Sequence, residues 1–140
     1  MILLDTSGLL AAIDSSHRHH ERAARALAAA PAPRLLSPFV LAELHYLLAT
    51  RVALSAELSL LAEVGRGVYR LEPFTNDDVA EAAQIVDRFS DQAIGLADAS
   101  IVVLAARHGT RDVLTLDERH FRALRVPRGR AFRILPADAT

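Results

Sequence analysis

Short apolar runs alternate with amphipathic stretches along the whole chain. Ile2-Leu3-Leu4 is an unbroken apolar triplet that stops at Asp5, the pattern of a strand buried on both faces. Similar runs predict strands at Leu35-Leu36, Val68 to Leu71, Val113-Leu114-Thr115 and Phe132-Arg133-Ile134. Between them, apolar residues recur at helical spacing. Helices are predicted over Ser7 to Ile13, His19 to Ala30, Ser55 to Val64 and Glu118 to Leu124. A further helix starts at Ser37-Pro38, where serine caps and proline fits the first turn, and runs to about Thr50. Thr75-Asn76-Asp77-Asp78 caps another that reaches about Phe89. The stretch Gly95 to Arg107 is almost wholly apolar and is closed by Gly109. Strands alternating with helices predict an α/β fold, a mostly parallel sheet covered by helices on both faces. The connector from Ala28 to Arg34 holds Pro31 and Pro33, and there is no repeat or long linker, so residues 1–140 read as one domain. In open sheets of this kind ligands bind beyond the carboxyl ends of the strands.

That rule gives four acids a meaning. Asp5 directly follows the first strand, at the ligand edge; its structural alternative is a cap for the next helix. Glu43 shares a helical face with Phe39 and Leu47, where a carboxylate is costly unless it is paired or binds a cation. Asp98 sits in the first turn of the most apolar helix, where it serves either the helix dipole or a ligand. Asp117 follows the strand at Val113 and precedes a helix it is placed to cap. Taken together, the four place carboxylates near one edge of one sheet. Their mutual repulsion calls for protons or a cation, and a donor set made only of oxygens suits Mg²⁺ or Mn²⁺. Such ions activate water for displacement at phosphorus, so the local chemistry points to metal-assisted phosphodiester hydrolysis.

Composition narrows the field. With no cysteine there is no disulfide, thiolate metal site or cysteine nucleophile. No apolar run approaches the roughly 20 residues that span a bilayer, and the residues before Asp5 carry no basic charge of the kind an export signal needs. A cytoplasmic protein is expected. The 16 basic residues are all arginine and balance 17 acids to a net charge of −1. Six of them, Arg119, Arg122, Arg125, Arg128, Arg130 and Arg133, fall in a stretch without acids. Either this is a solvated face, or it grips phosphates; in the second reading Arg119 and Arg122, nearest Asp117, contact the phosphates of a bound nucleic acid and the later arginines extend the track.

The residues resemble a known family. Ile2-Leu3-Leu4-Asp5-Thr6-Ser7, Ser37-Pro38-Phe39-Val40-Leu41-Ala42-Glu43-Leu44, Gly95-Leu96-Ala97-Asp98-Ala99-Ser100-Ile101-Val102 and Val113-Leu114-Thr115-Leu116-Asp117-Glu118-Arg119-His120-Phe121 occur in the order and spacing of a PIN domain. More narrowly, the chain resembles a VapC-type toxin ribonuclease. The resemblance implies a three-layer α/β/α PIN fold and a Mg²⁺- or Mn²⁺-dependent endoribonuclease. Asp5, Glu43 and Asp98 would be its core metal acids and Asp117 the fourth. Thr6 and Thr115 match positions whose hydroxyls orient acids or water. It also implies a homodimer silenced by a VapB-type antitoxin. Ser100 stands where the family commonly has an aliphatic residue.

The histidines carry less. His17, His19 and His20 read as surface or RNA-edge residues, His45 as facing away from Glu43, and His120 as able to approach the site. Other classes fit poorly. A haloacid-dehalogenase phosphatase needs an acid at the position of Ser7 and a lysine, and neither is present. No phosphate-cradling glycine loop occurs. The non-enzymatic alternative is an RNA- or antitoxin-binding module whose acids are structural.

Overall fold

A computed structural model describes residues 1–140 apart from the side chain of Pro127. In chain order the elements are β1 (Ile2–Leu4), α1 (Thr6–Ile13), α2 (His20–Ala29), β2 (Arg34–Leu36), α3 (Pro38–Arg51), α4 (Leu54–Gly65), β3 (Arg70–Leu71), α5 (Asn76–Arg88), α6 (Leu96–His108), β4 (Asp112–Leu114), α7 (Glu118–Ala123), β5 (Arg125–Val126), β6 (Arg130–Ala131) and β7 (Arg133–Leu135). Five strands form one all-parallel sheet in the order β3-β2-β1-β4-β7, flanked by helices. The apolar triplets lie in its centre: Ile2, Leu3, Leu4, Val113 and Leu114 are essentially inaccessible.

The strand order sets the position of the site. From β1 the chain builds outward through β2 and β3, then returns to the other side of β1 with β4. The crevice between the carboxyl ends of β1 and β4 is therefore the topological switch point, where open parallel sheets bind ligands. Asp5 N–H donates to Leu114 O across this junction (3.0 Å), and Thr115 N–H to Leu135 O (3.0 Å). Residues just past each strand are thus aligned along one edge. α1 approaches this edge closely enough to require glycine: a Cβ on Gly8 would lie 2.4 Å from Leu114 O.

The helices follow their local signals. Ser37 Oγ accepts from Phe39 N–H (3.2 Å) with Pro38 in the first turn. Thr75 and Asp78 form a reciprocal capping box on α5. Gly109 ends α6 with a left-handed φ of 65°, which glycine adopts freely. α6 is buried along nearly its whole length, from Ala97 to Ala105 apart from Asp98. Ser100, the departure from the family pattern, is fully buried and donates to Ala97 O (2.6 Å). Ser37 Oγ lies 2.7 Å from it, so the two hydroxyls tie the start of α3 to α6.

Some expectations shift. The strand expected over Val68 to Leu71 is only Arg70–Leu71, and both its residues are exposed. The strand at Phe132 begins one residue later, at Arg133. The antiparallel pair β5–β6 within the arginine-rich stretch was not anticipated. Each of its strands has two residues, too few to show an alternating pattern.

Candidate active site

Four separate segments bring the four acids together. Asp5, Glu43, Asp98 and Asp117 all line one open cleft of about 350 Å³, with Thr6, Ser7, Leu10, His17, Leu47 and Arg51. Asp5 is 5% exposed. It occupies the N-cap position of α1, yet its side chain makes no cap hydrogen bond, so capping does not explain it. Its Oδ2 instead accepts from Thr115 Oγ1 (2.6 Å) and Ser7 Oγ (3.1 Å). Thr115 Oγ1 in turn accepts from Asp117 N–H (2.9 Å), and Ser7 Oγ from Leu116 N–H (2.9 Å). Two hydroxyls thereby fix Asp5 against the β4–α7 loop that carries Asp117. Glu43 stands exposed beside the buried stripe Val40, Leu44 and Leu48 of α3. Thr6 Oγ1 donates to its Oε1 (2.7 Å). Asp117 does cap α7, accepting from His120 N–H through Oδ1 (3.0 Å), while its Oδ2 faces the His120 ring.

The threonines thus each orient an acid. Ser7 does so as well, a role that its places at the start of the first helix and in the first motif do not by themselves announce. Its signal was its place two residues after Asp5, on the same short turn.

The electrostatics are unfavourable in the free protein. Burial pushes the Asp5 carboxyl up to about 6; the Thr115 hydrogen bond opposes this and the nearby Asp98 adds to it. Asp98 is also raised, first by burial and then by Asp117 and Glu43, with His120 acting the other way. Close carboxylates that raise one another attract a cation.

His120 provides the test of fit. Its Nδ1 lies 2.9 Å from Asp117 Oδ2 and 3.2 Å from Asp98 Oδ2. The atom is sealed from solvent, yet neither oxygen meets it in hydrogen-bonding direction. Asp98, Asp117 and His120 form a group with one donor atom each, all within 4.8 Å of one another. A buried, unsatisfied nitrogen among carboxylates is the environment a divalent cation would complete.

The arginines are deployed differently from the expected track. Both terminal nitrogens of Arg122 are held, NH1 by Asp138 (2.8 Å) and NH2 by Asp138 (2.7 Å) and Glu118 (2.9 Å). A phosphate would have to displace two carboxylates there. Arg125 donates to the carbonyls that end α7, and Arg133 pairs with Asp112 (3.0 Å). Arg119 is exposed. Among the sixteen arginines it is Arg51, unremarked in the sequence, that lines the cleft. It follows Glu43 and Leu47 at spacings of four on α3, and all three reach one face. His17 lines the cleft from the α1–α2 turn, its Nδ1 accepting from His19 N–H (3.0 Å). His45 faces away from the cleft and pairs with Glu57 (2.7 Å).

Fold and cleft together define an α/β domain with a carboxylate site at the switch point of a parallel sheet. The chain belongs to the PIN domain family, whose profile matches residues 2–127. It is 43% identical over 135 residues to Ribonuclease VapC26 of Mycobacterium tuberculosis, covering 96% of this chain and all of that one. Among solved structures it is similar to Mycobacterium tuberculosis VapC20, a Sarcin-Ricin loop cleaving toxin, with a TM-score of 0.78 and 26% identity over 84% of this chain and 90% of that one. It also resembles FitAcB from Neisseria gonorrhoeae (TM-score 0.58, 26% identity, 80% and 88% covered). The DNA-bound VapBC of Salmonella typhimurium shares the fold, with a TM-score of 0.63 at 21% identity over 95% and 96% of the two chains.

Proposed function

We propose that this chain is the endoribonuclease toxin of a type II toxin–antitoxin pair and hydrolyses RNA with the help of Mg²⁺ or Mn²⁺. The observation that carries the reading is the convergence of Asp5, Glu43, Asp98 and Asp117 on one cleft at the β1–β4 switch point. The likeness to ribonuclease VapC26 supports RNA as the substrate. The four acids would hold the cation, which supplies a water of lowered pKa and charge stabilisation at phosphorus. Thr115 and Ser7 hold Asp5 in place, and Thr6 holds Glu43. Because the acids repel RNA, positive groups at the rim must offset them. Arg51 and His17 line the cleft itself, and exposed Arg119 lies two residues after Asp117, in the first turn of α7. These are the phosphate contacts in this reading, with Arg122 engaged elsewhere.

The partner is a VapB-type antitoxin, in line with the toxin–antitoxin complexes among the similar structures. Exposed Tyr46, Leu54, Leu58 and Leu61 on α3 and α4 give apolar surface for an antitoxin or for the second copy of a homodimer. No helix among the described residues is long and apolar enough to cross a membrane, and a cytoplasmic location accords with an RNA target. The test is to sequence RNA ends after expression of the wild type and of Asp5→Asn, Glu43→Gln and Asp98→Asn. New ends should appear with the wild type alone, and the purified enzyme should be inactive in EDTA. Wild-type cleavage by all three variants, or full activity in EDTA, refutes the assignment.

A further inference from the structure

The imidazole of His120 is unexplained by a site built of oxygen donors alone. Asp117 spends Oδ1 on the cap of α7, and this bond to His120 N–H fixes how residue 120 sits over residue 117. The His120 ring therefore reaches back over the carboxylate, with Nδ1 facing Oδ2 of Asp117 and Oδ2 of Asp98 at 2.9 and 3.2 Å. Asp98 comes from α6, nineteen residues earlier than Asp117 in the chain, so the meeting is made by the fold and not by local sequence.

A simple ion pair would aim the ring N–H at one of these oxygens. It does not: Nδ1 is buried and lacks a directional hydrogen bond. The spacing has another meaning. Neighbouring donors around an octahedral cation with bonds of about 2.1 Å stand about 3 Å apart, since cis ligands subtend a right angle. Both nitrogen–oxygen distances match that edge.

We propose that His120 Nδ1 is a direct ligand of the cation, beside Asp98 and Asp117, and that it biases this cleft toward Mn²⁺ over Mg²⁺. The inference rests on the metal-dependent reading above and deepens it. Mg²⁺ prefers oxygen donors and gives up its waters reluctantly, whereas imidazole nitrogen binds later first-row ions better. One nitrogen in an otherwise carboxylate site therefore separates the two ions without changing the net charge of the acids.

The competing role for His120 is a positive counter-charge that stands in for the cation and leaves when the cation enters. The two roles predict opposite responses. We would load the full-length protein with Mn²⁺, without RNA, and record pulsed electron paramagnetic resonance spectra for hyperfine coupling to a directly bound ¹⁴N. Calorimetry would give Mn²⁺ and Mg²⁺ affinities for the wild type, His120→Asn and His120→Ala, with circular dichroism confirming that both variants are folded. The proposal expects ¹⁴N coupling in the wild type and its loss in both variants. It also expects Mn²⁺ affinity to fall about tenfold or more, with a much smaller change for Mg²⁺. Mn²⁺ binding that depends on Asp98 but shows no ¹⁴N coupling overturns it while leaving the metal-dependent reading intact. Tighter binding of both ions by the variants overturns it in favour of the counter-charge. Failure of the wild type to bind either ion overturns the parent reading and this one together.

Discussion

Replacing Asp5 with asparagine should make the metal-free protein more stable, and only above mildly acidic pH. Burial raises the Asp5 carboxyl from 3.8 to about 6 in spite of the hydroxyl bonds from Thr115 and Ser7. The folded chain therefore holds this proton more tightly than the unfolded chain does. Below about pH 4 the group is protonated in both states and has no effect; above about pH 6 it is ionised in both and the folded state carries the full penalty. A rise from 3.8 to about 6 corresponds to a penalty of about 3 kcal/mol. Asparagine keeps an acceptor oxygen for the hydroxyls and carries no charge. The expected gain is thus near zero at about pH 4 and climbs toward about 3 kcal/mol by about pH 7. That value is an upper bound, because the amide nitrogen must find an acceptor of its own.

The assay is urea unfolding of wild type and Asp5→Asn in EDTA across this pH window, repeated with saturating Mn²⁺. With the cation present the advantage of asparagine should shrink or reverse, since the wild type then gains binding energy that the variant has lost. A stability difference that does not vary with pH refutes the reasoning. So does a wild type that becomes relatively more stable as pH rises from about 4 to about 6.

Other consequences are equally direct. Gly8→Ala places a Cβ against Leu114 O and should destabilise the fold by about 2 kcal/mol or more, read as a lower unfolding midpoint; an unchanged midpoint would mean that α1 moves freely away from β4. In an Asp98→Asn background, Arg51→Ala and Arg119→Ala should each flatten the salt dependence of binding to uncleaved single-stranded RNA, by about 0.7 of a log–log slope unit per lost phosphate contact; unchanged slopes would remove both from the RNA path. Arg122→Ala should leave that slope alone and lower the melting temperature, because it frees Asp138 from α7; a flattened slope would restore Arg122 to the RNA path.

Much of this cleft is legible in the sequence because its parts are local. An apolar triplet that ends in an acid places that acid at the ligand edge, and this holds for Asp5 without any knowledge of what lies opposite. Ser37-Pro38 likewise announces α3 and so sets the turn on which Glu43 projects. What escapes is whatever depends on a partner far along the chain. His120 is legible as a residue near the site, but its meeting with Asp98 from 22 residues away is not, nor is that of Ser7 with Leu116 from 109. β5 and β6 pair through two residues each, below the length at which a period can be seen.

The arginine stretch shows why charge counted along a chain misleads about charge in space. Between Arg119 and Arg133 the sequence has six cations and no acid, which reads as a positive surface. The acids that answer two of them, Arg122 and Arg133, lie just outside that window. Glu118 reaches Arg122 across one helical turn, Asp138 folds back to it from the C-terminal turn, and Asp112 meets Arg133 across parallel strands. Pairing holds Asp138 down to about 2, with the Arg122 hydrogen bonds as the largest cause, so its carboxyl stays charged over the physiological range. The cleft shows the reverse arrangement. Its acids lie close together in space while being scattered in sequence, with Arg51 and His17 for company at the rim. Where the fold pairs its charges it has made structure. Where it leaves like charges together, around Asp5 and Asp98, it has kept free energy available for a proton or a cation to release.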